Sequence, residues 1–304
     1  ALIGGFAVGS VAALALETFS RPVRDREEIA SLYTIPVLAA IPVIPGANRS
    51  HGVAPWDVPP NVFEQVRMLR VQLSLAGTNR VVMVTSAGVG DGKTTVAGAL
   101  AAAFSEVGRS VLVMDLDLRK PHLAELLGVD RLSNVTTKRP PLGAPRDVPH
   151  LPGVQVVPAP TGGLPEFELL AGRLPMVLQQ ARKSADIVIV DAAPVGEVSE
   201  ALRVATMCDD VVFVVHPRRT DRRRLVLARD LLQRAGKQPV GLVLVGETGL
   251  PRVHESYAYA MSPMERPGQV PGNDRTTANL HGEDDAELAV DPATARARGR
   301  AREP

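Results

Sequence analysis

The stretch "AGVGDGKT", residues 87 to 94, constrains the fold more than any other part of the sequence. The continuous apolar run before it, residues 81–84, reads as a buried strand, and the pattern after it, residues 93–107, reads as a helix. A glycine-rich turn between a strand and a helix, ending in Lys-Thr, is the phosphate-loop pattern, here with Ala87 in the first-glycine place. Gly88, Gly90 and Gly92 let backbone N–H groups turn toward phosphate oxygens, and the positive end of the helix adds to their pull. Lys93 is expected to reach the β and γ phosphates of ATP, and Thr94 to hold Mg²⁺ through its hydroxyl. The expected nucleotide-binding set is Gly88, Gly90, Asp91, Gly92, Lys93, Thr94 and Thr95.

Further apolar runs at 111–114, 187–190, 211–215 and 240–245 alternate with helical patterns at 175–184, 199–207 and 221–235. Strands apolar on both faces and spaced by helices predict an α/β fold, a parallel sheet with helices on both faces. The carboxyl ends of such strands are where open α/β sheets bind ligands. Asp115 and Asp117 lie at one of those ends, in "VLVMDLDLR", and their i, i+2 spacing puts both side chains on one side of an extended chain. One would serve as a base for an attacking hydroxyl and the other would hold Mg²⁺ or its waters; either alone would equally well cap the following helix. Asp191, closing "ADIVIVD", has the form of an aspartate that reads Mg²⁺ from a neighbouring strand.

The ends of the chain have a different character. Residues 1–16 carry no charge, and a spanning helix needs ~20 apolar residues, so residues 1–18 read as the C-terminal part of a transmembrane helix. Arg21, Arg24 and Arg26 follow it, which by the positive-inside rule puts everything downstream in the cytoplasm. Residues 19–60 read as a proline-rich connector. The domain of residues 61–248 opens with an amphipathic helix, "NVFEQVRMLRVQLSLAG", with Asn61 as its N-cap and Gly77 as its stop. Residues 249–304 are poor in large apolar side chains and read as a disordered tail. A formal net charge of +1 argues against a general nucleic-acid binder, and one cysteine, Cys208, excludes an internal disulfide.

A phosphate loop, a second strand ending in D-x-D-x-R and a third ending in D-x-x-P-V resemble the bacterial tyrosine kinase domain of capsular and exopolysaccharide co-polymerases, the chain-length determinant proteins. The resemblance runs from about Ala1 to Gly246 and includes the connector, the helix with Glu64, Arg67 and Arg70, and "GGLPEFELLAGRLPMVLQQ". It implies an ATP- and Mg²⁺-dependent autokinase that controls polymerisation and export of a surface polysaccharide. By the same resemblance Lys93 and Thr94 carry nucleotide and metal, Asp115 is the base, and Asp117 and Asp191 are metal-site acids. Glu64, Arg67 and Arg70 become contacts between subunits of a homo-oligomeric ring, whereas their residue types alone suit a solvated face with an i, i+3 ion pair. Partition ATPases share the fold but carry a lysine five places before the invariant one, where this chain has Gly88.

The family's tail usually carries a tyrosine cluster, whereas this chain has three tyrosines, of which Tyr257 and Tyr259 lie in the tail as candidate acceptors. The third motif reads D-A-A-P-V, with Ala193 where a second proline is common, and "PEF" stands where "PNP" is frequent. These departures keep two other readings open: a nucleotide-binding regulatory subunit without kinase activity, and a membrane-tethered partition-type ATPase. Arg218, Arg219, Arg222, Arg223 and Arg224 cluster at one helix start, where a solvated face, anionic lipid or a neighbouring subunit would each suit them. Trp56 is expected to pack the connector onto the domain, His122 and His216 to be structural, and the scattered histidines to form no zinc site.

Overall fold

The computed structural model describes residues 22–23, 26–44, 52–75, 81–129, 144–159 and 172–247. In chain order its helices are α1 (Arg26–Tyr33), α2 (Pro60–Leu75), α3 (Lys93–Ser105), α4 (Leu123–Leu126), α5 (Leu174–Ser184), α6 (Ser199–Met207) and α7 (Arg222–Arg234). Its strands are β1 (Val37–Pro42), β2 (Val81–Ser86), β3 (Val111–Leu116), β4 (Arg146–Asp147), β5 (Val154–Val157), β6 (Ile187–Ala192), β7 (Asp210–Val215) and β8 (Gly241–Glu247). They form one eight-stranded sheet in the order β1-β8-β7-β2-β6-β3-β5-β4. Every pairing is parallel except β4 with β5.

The expected α/β architecture is present, and the side-chain period of two explains why its strands read as unbroken apolar runs. In β2, Val81 and Met83 enter one core and Val82 and Val84 the other; in β7, Phe213 and Val215 enter the first and Val212 and Val214 the second. Residues of α1, α5, α6 and α7 complete the first core, and residues of α2, α3 and α4 the second. With both faces covered, a polar face would have nowhere to go.

Two sequence expectations change. The proline-rich stretch read as a connector contributes β1, which pairs in parallel with β8. Prolines are tolerated there because β1 is an edge strand. Preceding it, α1 docks through Tyr33, whose hydroxyl donates to Leu225 O at 2.9 Å and whose ring centroid lies 5.2 Å from that of Phe213. In α2 the first residue is Pro60, so Asn61 sits inside the first turn rather than at the N-cap; Pro59 O accepts from both Val62 N and Phe63 N. Proline suits that position because its missing N–H has no intrahelical partner there. Trp56 packs against the second core and stacks edge-on with His150 at 4.9 Å.

The apolar run 1–18 and the tail 249–304 with Tyr257 and Tyr259 lie outside the described residues. Among the described residues no helix is long and apolar enough to cross a membrane.

Candidate active site

Order in the sheet places β6 between β2 and β3, so the loop after β2 and the acids of β3 and β6 converge on one edge. The turn from β2 into α3 requires left-handed backbone twice, at Gly90 (φ 85°) and at Gly92 (φ 95°), the residue preceding α3. A side chain at Gly92 would also stand 3.2 Å from Val245 Cγ1. Lys93 opens α3 with its side chain mostly buried, and its Nζ meets Asp117 Oδ2 at 2.7 Å.

Asp115 and Asp191 are register partners across β3 and β6, the acids facing each other at the same level of the sheet. Both are buried, at 1% and 0% exposure. Asp115 Oδ1 accepts from Asp117 N at 3.2 Å and Oδ2 from Leu123 N at 3.1 Å, so this carboxylate does cap α4 as well as facing the site. Burial, and then the neighbouring Asp191, push the Asp115 carboxyl well above the usual carboxylate range. Burial alone would lower the Lys93 ammonium, but Asp191 and then Asp117 outweigh it and raise it.

Asp191 is the unsatisfied member. Neither of its oxygens has a hydrogen-bond partner. Burial pushes its pKa up to about 6, opposed first by the Lys93 charge. The Thr94 hydroxyl is near enough to favour its ionised form yet falls short of hydrogen-bond geometry. A buried carboxylate without a donor, beside a threonine hydroxyl at a helix start, fits a hard divalent cation with oxygen ligands. Among the described residues no group of three or more His, Cys, Asp and Glu could hold a metal ion on its own, so nucleotide oxygens and water would complete the shell.

The other expected site residues are placed as follows. Asp91 turns its carboxylate back into the protein: Oδ2 accepts from Gly88 N at 3.0 Å and Oδ1 from the Thr220 hydroxyl at 2.9 Å. Thr95 Oγ1 accepts from Val53 N at 3.4 Å, tying α3 to the segment before α2. Arg67 donates to both Glu106 oxygens, at 2.8 and 2.7 Å, and to Glu64 at 3.2 Å, so the i, i+3 pair exists within a brace between α2 and the end of α3. Arg70 reaches Ala103 O at 3.5 Å. In the arginine cluster, Arg222 meets Glu28 at 3.5 Å and Arg224 meets Glu197 at 2.6 Å. Sequence reasoning missed Thr220; its position in the loop after β7, the strand beside β2, is the signal that points to it.

A glycine-rich loop with a buried lysine, facing carboxylates from the two strands beyond it, defines the class of phosphate-loop nucleotide-binding proteins. Comparison narrows it. Tyrosine-protein kinase YwqD of Bacillus subtilis is 30% identical over 205 residues, 64% of this chain and 85% of that protein. Succinoglycan biosynthesis transport protein ExoP of Rhizobium meliloti is 29% identical over 186 residues, but those make up only 23% of that protein. The kinase domain of the Escherichia coli tyrosine kinase ETK superposes with a TM-score of 0.60 at 25% identity, over 78% of this chain and 99% of that one. The chain belongs to the bacterial tyrosine-protein kinases. A ParA model described as "NUBPL iron-transfer P-loop NTPase" also matches residues 77–157, a span holding β2, the phosphate loop, α3 and β3. Soft thiolate ligands are absent from that span, because the one cysteine, Cys208, lies outside it and is buried.

Proposed function

We propose that the protein is an ATP-dependent protein-tyrosine autokinase regulating the polymerisation and export of a capsular or exopolysaccharide. The observation that carries this reading is Asp115, a buried carboxylate of raised proton affinity beside Asp191, on the sheet edge that holds the phosphate loop and Lys93. Transfer to tyrosine has a use for such a base, which would take the proton of the attacking hydroxyl.

In this reading the tyrosine oxygen forms a bond to the γ-phosphorus of ATP, the bond to the β,γ-bridging oxygen breaks, and ADP leaves. The phenolic proton passes to the remaining lone pairs of the Asp115 carboxylate. Lys93 exchanges Asp117 for the β and γ phosphates on binding, and that exchange releases Asp117 toward the metal position with Asp191 and Thr94. Thr94, Asp117 and Asp191 would hold Mg²⁺ there, and it would supply positive charge against the charge developing on the phosphates. Loop amides beyond Gly88, whose own N–H is held by Asp91, keep the phosphates in line, so catalysis is largely positioning and charge stabilisation.

The candidate acceptors are the tail tyrosines Tyr257 and Tyr259, whereas Tyr33 is buried with its hydroxyl bonded to Leu225 O. Copies of the chain would present these tails to one another in a ring, with Glu64, Arg67 and Arg70 at the contacts; Arg67 would then trade or share its Glu106 partner. Residues 1–18 would anchor the domain on the cytoplasmic face of the plasma membrane, beside the polysaccharide polymerase and export machinery.

A second reading, a nucleotide-binding regulatory subunit without kinase activity, is favoured by the presence of only two candidate acceptors. Mass spectrometry of the whole chain after incubation with ATP and Mg²⁺, beside Lys93→Met, separates them; the whole chain is needed because α1 and β1 belong to the fold. Phosphate on Tyr257 or Tyr259, absent from Lys93→Met, supports the kinase. Bound nucleotide with no phosphotyrosine supports the regulatory subunit, and steady phosphate release without phosphotyrosine supports a partition-type ATPase.

A further inference from the structure

Thr220 lies in the loop between β7 and α7, 129 positions from the phosphate loop in sequence, yet it is 2% exposed and bonded to it. Its hydroxyl accepts from His216 N at 2.9 Å and donates to Asp91 Oδ1 at 2.9 Å. The other Asp91 oxygen accepts from Gly88 N at 3.0 Å, and Gly88 O accepts from the Ser86 hydroxyl at 2.7 Å. Asp91 is itself 3% exposed. The first half of the phosphate loop is therefore held by the buried Asp91 carboxylate together with the Ser86 hydroxyl, and the Thr220 hydroxyl, which lies 2.9 Å from Asp91 Oδ1 and 3.1 Å from His216 O, supplies that carboxylate with a side-chain donor.

The same loop is gripped from its other side by the beginning of the described chain. Val23, wholly buried, donates from its N–H to Thr220 O at 3.1 Å and accepts from Arg218 N at 2.6 Å, with Pro22 bridged to Asp221. Arg218 holds a left-handed backbone at φ 70°, a conformation that a non-glycine residue keeps only when its surroundings enforce it. A continuous hydrogen-bonded line thus runs from Val23 through Thr220 and Asp91 to Gly88.

We infer that Thr220 is a positioning residue for the phosphate loop, and that through it the docking of the segment at Pro22–Val23 sets how well the loop holds nucleotide. This rests on the reading that the loop binds ATP, and it adds a route by which the chain segment ahead of the domain acts on the site. Loss of the hydroxyl leaves Asp91 buried with one oxygen unpaired, so the carboxylate moves or takes a proton, and the Gly88 N–H loses its fixed acceptor. Displacement of Val23 releases Arg218 and Thr220 together and ends in the same place.

The test uses the whole chain with Thr220→Val, Thr220→Ser, Val23→Asp and the double variant Val23→Asp/Thr220→Val. ADP affinity, KM and kcat for ATP, and thermal melting are measured for each. Thr220→Val is expected to weaken ADP binding about tenfold and to raise KM more than it lowers kcat, the loss of one hydrogen bond to a charged group. Thr220→Ser restores affinity, Val23→Asp weakens it similarly, and the double variant is no worse than the poorer single one. The inference is overturned if Thr220→Val binds ADP like the parent, if the serine variant fails to rescue, or if the two losses multiply. It is also overturned if Thr220→Val loses cooperative melting, for Thr220 is then a residue of the fold alone. A parent chain that binds ADP but forms no phosphotyrosine defeats the kinase reading and leaves the binding ratios to decide this one.

Discussion

The cluster around Lys93 and the cluster around Arg67 contain similar groups and treat them differently. Around Arg67, two glutamates share one guanidinium at 2.7 to 3.2 Å, every partner is partly exposed, and the Phe63 ring lies 5.1 Å beneath the charge. Around Lys93, one ammonium faces Asp115, Asp117 and Asp191, all buried, and Asp191 is left with no donor. The exposed cluster is complete in itself. The buried one has three carboxylates to one cation and gains from a ligand that brings further positive charge with its phosphates. Completeness marks the brace; an unmet valence in a dry place marks the site.

The contrast can be broken most severely at Lys93. Lys93→Met should lower phosphotransfer about 10³-fold, the scale for removing a preorganised charge from a transition state, and its loss is read from phosphotyrosine by mass spectrometry. Next is Asp191→Asn. This change should lower activity about 10²-fold yet raise the melting temperature of the nucleotide-free protein, because an unpaired buried charge disappears. A melting temperature that falls instead would mean Asp191 is already satisfied. A third test uses pH. Burial raises the Asp91 pKa from 3.8 to about 6, so the folded state binds a proton more tightly than the unfolded chain. The stability it confers is therefore greatest below pH 4, declines between about 4 and 6, and stays low above, and Asp91→Asn should flatten that part of the melting curve. The smallest effect belongs to the exposed brace: Arg67→Ala should cost about 1 kcal/mol in denaturant unfolding, and the loss should shrink in high salt.

Much of this was legible in the chain, and the reasons differ by element. Strands β2, β3, β6, β7 and β8 were readable because burial on both faces leaves apolar runs. The C-terminal ends of β2 and β3 were not, because Thr85 and Ser86 in β2 and Asp115 in β3 are polar residues that continue a strand into the site. β1 was hidden by its flanking prolines and β5 by having only four residues. In the site, spacing after the phosphate loop singled out Asp115 and Asp117, and a strand end singled out Asp191; the structure brings all three around Lys93. It could not show that Asp91 faces Thr220 or that Thr95 faces Val53, since those bonds depend on segments far apart in sequence meeting in the fold.

The two ends of the sheet have a bearing on how copies of the chain meet. On one side stands β4, two residues long and antiparallel to its neighbour; on the other stands β1, bounded by Pro36 and ending in Pro42. Neither offers a row of open amides and carbonyls long enough to recruit a strand from another molecule. Among the described residues, lateral growth of the sheet, the route by which many α/β proteins aggregate or exchange segments, is thus discouraged at both margins. Side-chain contacts on helix faces stand outside that constraint, since they can be undone and remade without disturbing a backbone ladder.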